Sequence, residues 1–200
     1  MQPGTQRGLA PVQYLIDPAA SRFTAQAFAT GLLSAFGHNP TIGIRDYEGQ
    51  IQFIPDSYEK SFVRLLVQTG AMEVLDEMKN DDRKKLEQVM FDEVLNVKLF
   101  PTAVFESKDI TVQKVDNSGL LQAQVMGDLT FHGMTQTHSF DARITPMGDM
   151  MRISGEFPLR LSHYGIKPVS FAAGALRLKD EVKFKFEMVA RRQENAAIRL

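Results

Sequence analysis

The 200-residue sequence contains no cysteine. Disulfide bonds, thiolate chemistry and cysteine-based zinc sites are therefore excluded. It also has no excess of positive charge, since its formal net charge at pH 7 is −1. A chain without a basic surplus has no electrostatic means of neutralising nucleic-acid phosphates. We therefore expect no nucleic-acid partner.

Long apolar runs are missing as well. No stretch is long enough to cross a bilayer as a helix, and residues 1–11 contain no apolar run of signal-peptide length. These absences predict a protein without a transmembrane segment. The expected compartment is the cytoplasm, or the periplasm if a signal peptide once preceded this sequence.

The familiar catalytic motifs are also missing. The sequence has no Gly-x-Ser-x-Gly elbow, no phosphate-binding loop and no dinucleotide fingerprint. Four histidines are present, and they lack metal-binding spacing such as His-Glu-x-x-His. His132 and His138 flank a turn, which favours their interpretation as polar side chains of a surface hairpin. We expect no enzyme activity, no metal and no cofactor.

Alternation of apolar and polar residues is the dominant pattern, and it is typical of strands with one buried and one exposed face. It predicts strands at 22–28, 41–46, 49–53, 63–67, 103–112, 121–131, 140–144, 151–161 and 182–190. Turn residues separate these runs. The predicted turns are 47–49, 116–119, 132–135 and 146–149.

One segment has helical spacing instead. Asn80 is a suitable helix cap, and an apolar stripe follows at Leu86, Met90 and Val94. No linker or repeat interrupts the chain, so we expect a single domain over residues 12–190 with loose termini at 1–11 and 191–200. Closing a sheet removes its edges. The predicted fold class is all-β, a closed antiparallel lipocalin-like barrel of about eight strands with one short helix.

Several segments resemble the YceI-like family. Residues 14–21 have its aromatic-x-Ile-Asp-x-x-x-Ser pattern, and 127–135 its Gly-x-Leu-Thr-x-x-Gly-x-Thr pattern. Further similar segments are 49–53, 99–107, 162–166 and 179–182. The sequence departs from the family at Tyr14, where Trp is common, and at His163, where Asp is usual. The resemblance implies a lipocalin-like barrel that binds a polyisoprenoid or similar lipid.

Bulky apolar residues on the inward faces of the strands are the predicted lining of the ligand site. They are Phe23, Phe53, Leu65, Phe105, Leu129, Phe131, Phe140, Phe157 and Phe184. Tyr164 and His38 are the predicted polar contacts. The alternative for His38, which lies in a Gly-His-Asn-Pro turn, is a side chain that bonds its own backbone.

The first hypothesis is therefore a binding protein that holds an isoprenoid or other long-chain apolar lipid for transport or storage. Small residues among large ones on the inward faces are compatible with a cavity, and they are equally compatible with tapered packing. The second hypothesis is a packed barrel that binds a protein partner and holds no ligand. The third is a histidine-dependent metal protein or enzyme. A homodimer is left open as the assembly.

Overall fold

The computed structural model describes residues 10–30, 39–55, 57–115, 119–167, 170–171 and 176–193. Its strands and helix are β1 (Val12–Ile16), β2 (Arg22–Thr30), β3 (Thr41–Ile44), β4 (Tyr47–Phe53), β5 (Phe62–Gln68), β6 (Met72–Val74), α1 (Asn80–Val89), β7 (Thr102–Lys114), β8 (Leu121–Phe131), β9 (Met134–Met147), β10 (Met150–Arg160), β11 (Ser170–Phe171) and β12 (Leu176–Arg192). Within these ranges, no helix has the length and apolar character needed to cross a membrane.

Eight strands form a closed circuit in the order β1-β4-β5-β7-β8-β9-β10-β12, and β12 pairs back onto β1. Each of these pairings is antiparallel. The long strand β12 also pairs with β2, from which β3 and β6 extend the sheet at one end. The predicted fold, a closed antiparallel barrel of about eight strands with a helix, is confirmed.

Side-chain alternation follows the predicted faces. In β8, Leu121, Ala123 and Val125 are buried, whereas the intervening glutamines are exposed. The parity of β7 changes along the strand, because its register with β8 shifts between Ser107 and Asp109. Such a bulge reverses which residues face inward, so the stretches of β7 on either side of it have different inward parity.

One predicted turn is wrong. Residues 47–49 belong to β4, where Tyr47 pairs with Val67 and is 3% exposed. The pairing with β5 continues one residue further, where the Asp46 oxygen accepts a hydrogen bond from the amide of Gln68 at 2.9 Å. Gly49 has a packing role instead, because a Cβ there would collide with the Ile16 side chain.

The predicted turn between β8 and β9 is confirmed as a two-residue connection. His132 and Gly133 have φ angles of 50° and 74°. Two consecutive positive φ values are typical of the type I′ turn, whose twist matches that of the flanking strands.

Helix α1 continues into a π-helical turn, Met90–Val94. Asn80 is its first helical residue, and Lys79 occupies the cap position without a side-chain cap bond, so the predicted cap at Asn80 is wrong by one residue. The predicted apolar stripe packs onto the barrel core, where Met90 and Val94 are buried. The helix thereby covers one end of the barrel, which we call the helix end.

Two side chains of α1 also bond the free edge of β6. The Val74 amide donates to Glu87 Oε1 at 3.0 Å. Arg83 donates to the carbonyl oxygens of Val74 at 2.6 Å and of Asp76 at 2.9 Å. The helix therefore supplies the hydrogen-bond partners that a neighbouring strand would otherwise provide.

Candidate ligand-binding site

An apolar cavity of about 270 Å³ lies inside the barrel. Its volume is just below the range of about 300–1,000 Å³ that small-molecule pockets usually have. It extends from Leu86 and Met90 at the helix end to Phe53 and Met151 at the opposite end. Among the described residues, its lining contains no charged side chain. The site is therefore suited to a long apolar molecule.

The nine apolar residues predicted from strand parity all line this cavity. They are Phe23, Phe53, Leu65, Phe105, Leu129, Phe131, Phe140, Phe157 and Phe184. Several of their rings pack in a continuous wall: Phe140 and Phe184 flank Phe157, each with a centroid distance of 5.2 Å. Aromatic neighbours at this separation stabilise one another beyond simple burial. The geometry is as expected, and ligand contact at these residues stays a prediction.

Small residues lie side by side on three neighbouring strands of the barrel. Ala123, Ala142 and Gly155 are direct neighbours across β8, β9 and β10. The ring of Phe186 fills the room beside Gly155, since a Cβ there would lie 2.6 Å from its Cζ. Ala123 and Ala142 both line the cavity. A larger side chain at either alanine would therefore project into the space available to a ligand.

The family model of the YceI-like domain matches residues 14–190. The chain belongs to the YceI-like family. No curated protein matches the sequence significantly. The family is one of binding-protein barrels and is not a known family of enzymes.

Solved structures share this YceI-like barrel. BcnA from Burkholderia cenocepacia superimposes with a TM-score of 0.67 at 18% identity, covering 87% of this chain and 98% of that one. A polyisoprenoid-binding domain from Saccharophagus degradans, implicated in plant cell wall breakdown, gives 0.65 at 10% identity, with coverages of 90% and 98%. The YCEI protein of Campylobacter jejuni gives 0.55 at 17% identity, with coverages of 77% and 85%. At these identities the likeness concerns the fold.

Neither of the two predicted polar contacts is found in the described lining of the cavity. His38 lies outside the described residues. Tyr164 is fully buried but is not part of the cavity lining of the YceI-like barrel; its ring packs 5.4 Å from that of Phe131. Its hydroxyl has no hydrogen-bond partner in the part of the chain that the structure describes, and burial raises the pKa of Tyr164 to about 12. The phenol therefore stays protonated at any pH at which the protein is expected to work.

His138 was missed as a lining residue. Its interpretation as part of a surface hairpin is wrong, because its side chain lines the cavity and its Nε2 is buried, with no hydrogen-bond partner among the described residues. Burial, and to a lesser degree the charge of His163, lowers its pKa. The signal was available, since the inward parity of Phe140 and Ala142 extends back to residue 138.

His132 does not face His138 across the hairpin. Its Nδ1 lies 3.1 Å from the backbone oxygen of Tyr164, and its ring packs at a tilt against that of Phe100, with a centroid distance of 4.2 Å. Within the described residues, no group of three histidine, aspartate or glutamate side chains is placed to hold a metal ion. The chemistry that the site offers is therefore apolar burial, with one imidazole at its wall.

Proposed function

We propose that this YceI-like barrel binds an isoprenoid or another long-chain apolar lipid in its interior, for transport or storage. The observation that carries the proposal is the internal cavity with its uncharged lining. The polyisoprenoid-binding domain that shares the fold supports it. The alternative of a fully packed barrel without a ligand is less well supported, because the interior retains this space.

Burial of the chain supplies the binding energy. Each methylene that leaves water contributes about 0.8 kcal/mol, which is roughly fourfold in affinity. Affinity is therefore expected to rise with chain length until the cavity is filled. Binding should then level off, because further carbons remain in water.

A displacement titration tests the proposal. The neutral probe N-phenyl-1-naphthylamine, which fluoresces in apolar surroundings, is displaced by geraniol, farnesol and geranylgeraniol in turn. Ala123→Leu narrows the cavity and should weaken binding of all three by about tenfold or more, because the new side chain occupies ligand space. Gln124→Leu is the matched control, since residue 124 is the exposed outward neighbour on β8.

The titration separates the hypotheses. Chain-length-dependent displacement that Ala123→Leu weakens and Gln124→Leu leaves unchanged supports the proposal. Absence of displacement by all three alcohols contradicts it, and equal loss in both variants contradicts binding within the barrel.

Transport and storage differ in the rate of release. A vesicle-to-vesicle transfer assay with a fluorescent isoprenoid measures that rate. Acceleration of transfer by catalytic amounts of the protein would support transport. Stoichiometric retention of the lipid would support storage.

A further inference from the structure

The end of the barrel opposite the helix, which we call the rim, is where the cavity lies away from α1. The rim consists of the strand ends at Val12, Phe53, Phe62, Lys114, Leu121, Met147, Met150 and Arg192, with the described residues that connect them. Phe53, Val112 and Met151 line the cavity close to these strand ends. At the helix end, Leu86 and Met90 cover the cavity from α1 and its π-helical turn. Among the described residues, no helix of comparable length lies across the rim.

Two exposed apolar side chains lie on neighbouring parts of the rim. Val115 is 52% exposed and Met147 is 45% exposed. They belong to the ends of β7 and β9, which lie on either side of β8. The amide of Val115 donates to the Leu120 oxygen at 3.0 Å, and Leu121 pairs with Ile144, so this part of the rim is continuous. An exposed apolar pair beside the end of an apolar cavity is consistent with a contact surface.

Unpaired cations flank this apolar pair. Lys114 precedes Val115 and is exposed. Arg143 and Arg152 are exposed on β9 and β10, where they pair with Ser154 and Thr145 on adjacent rungs. Within the described residues, none of the three cations forms an ion pair.

Acidic side chains offset this charge only in part. The nearest described ones along β9 and β10 are Asp141, further toward the middle of the barrel, and Asp149 in the turn between the strands. Asp149 lies 3.8 Å from Arg192 and is thereby paired. Asp116, the residue after Val115, lies outside the described residues. This part of the rim therefore presents free positive charge beside exposed apolar side chains.

An anionic lipid bilayer matches both features. Apolar side chains insert between its headgroups, and cations are attracted to its negative surface. Each Lys or Arg near such a surface strengthens binding by about fivefold. A second copy of the chain matches less well, because two rims placed face to face would bring like charges together.

We propose that the rim docks on an anionic lipid bilayer, with Val115 and Met147 inserted between the headgroups and Lys114, Arg143 and Arg152 held near the lipid phosphates. The inference rests on the proposed function, since it makes the bilayer the place from which the lipid enters the cavity and to which it returns.

Single tryptophans test which end docks. The sequence contains no tryptophan, so Met147→Trp and Leu99→Trp each report one position. Leu99 is the matched control, because it is 68% exposed and lies between the π-helical turn and β7 at the helix end. On vesicles of phosphatidylglycerol and phosphatidylcholine in equal parts, the emission of Met147→Trp should move to shorter wavelength. That of Leu99→Trp should stay at its value in buffer.

Charge is tested in the same assay. Arg143→Gln combined with Arg152→Gln, in the Met147→Trp background, should weaken vesicle binding by about tenfold or more. Lys84→Gln combined with Lys85→Gln makes the same change of charge at exposed positions of α1 and should leave binding unchanged. Vesicles of phosphatidylcholine alone should bind all these proteins weakly.

Three results would overturn the proposal. The first is a shift in Leu99→Trp with none in Met147→Trp, and the second is equal binding to both kinds of vesicle. The third is a shift in Met147→Trp that depends on protein concentration without vesicles, which would make the rim an interface between copies of the chain.

Displacement of N-phenyl-1-naphthylamine by farnesol, measured without vesicles, separates this inference from the proposed function. If farnesol displaces the probe and no vesicle binds, the docking surface is wrong and the lipid-binding function stands. If vesicles bind through the rim and farnesol, geraniol and geranylgeraniol all fail to displace the probe, the docking surface stands and the proposed function is contradicted.

Discussion

At the scale of single residues, the site departs from a plain apolar interior at two adjacent side chains. His138 and Tyr164 stack on each other, and each has a buried polar atom that no other described residue pairs. Leaving such an atom unpaired costs roughly 1–3 kcal/mol. Only His138 of the two belongs to the cavity lining. Neither polar atom is exposed to the cavity, so the cost falls on the stability of the fold.

The lowered pKa of His138 predicts a pH dependence of stability. In the unfolded chain a histidine binds its proton at the ordinary pKa of about 6.5, whereas the folded protein resists protonation here. Below that pH the unfolded state binds more protons, so the folded state loses stability as the pH falls toward the lowered pKa. Urea unfolding at pH 7.5 and 5.5 should show a larger loss in wild type than in His138→Gln.

Comparison of the two proteins isolates His138, because the carboxylates with lowered pKa, namely Asp17, Asp128 and Asp180, are common to both. An equal loss of stability in the two proteins would show that the imidazole is not shielded in the folded state.

At the scale of elements, sequence alternation predicted most of the strands. It did not predict the very short strand β6 or the bulge that interrupts the alternation in β7. A period of two is visible along β8, along β10 and along β12 from Val182 onward, because these stretches alternate without interruption. The three residues of β6 are too few to show a period. The bulge in β7 after Ser107 reverses parity without any mark in the sequence.

Two residues of the site were placed incorrectly from the sequence, because their positions depend on packing as well as on alternation. His138 continues the inward parity of β9. Polar residues beside a turn are usually exposed, and for that reason the sequence prediction placed His138 on the surface. Tyr164 is predicted to contact the ligand, but its side chain lies behind the cavity lining. This placement depends on how Leu161–Tyr164 packs on the β8–β9 hairpin. One contact between them is the hydrogen bond that Gln136 Nε2 donates to the His163 oxygen at 3.2 Å.

The bond between α1 and β6 gives a prediction at this scale. Glu87→Ala leaves the Val74 amide without an acceptor at a fully buried position. Loss of one such bond, about 1 kcal/mol, should speed hydrogen exchange at the Val74 amide by roughly fivefold or more if exchange follows local opening. Hydrogen exchange monitored by NMR provides the measurement.

Lys85→Ala is the matched control, since Lys85 is an exposed residue of the same helix. Glu87→Gln keeps an acceptor and should exchange at nearly the wild-type rate. Unchanged exchange in Glu87→Ala would show that the helix does not protect the edge of β6.

At the scale of the whole molecule, the barrel followed from the sequence, and the cavity did not. Alternation predicts which side chains face inward. Whether those side chains fill the interior also depends on the strand register, which determines the side chains that become neighbours. Ala123 and Ala142 are 19 positions apart in the sequence, and only the pairing of β8 with β9 makes them neighbours. The volume that remains inside the barrel is therefore a property of the assembled sheet.

Native mass spectrometry of the purified protein, before and after incubation with a lipid extract, tests the central claim most directly. The account predicts about one long-chain lipid bound per wild-type chain, a depleted complex in Ala123→Leu and an undiminished one in Gln124→Leu. A wild-type protein that carries no lipid and acquires none from the extract would contradict the claim that the interior of the barrel is a lipid-binding site.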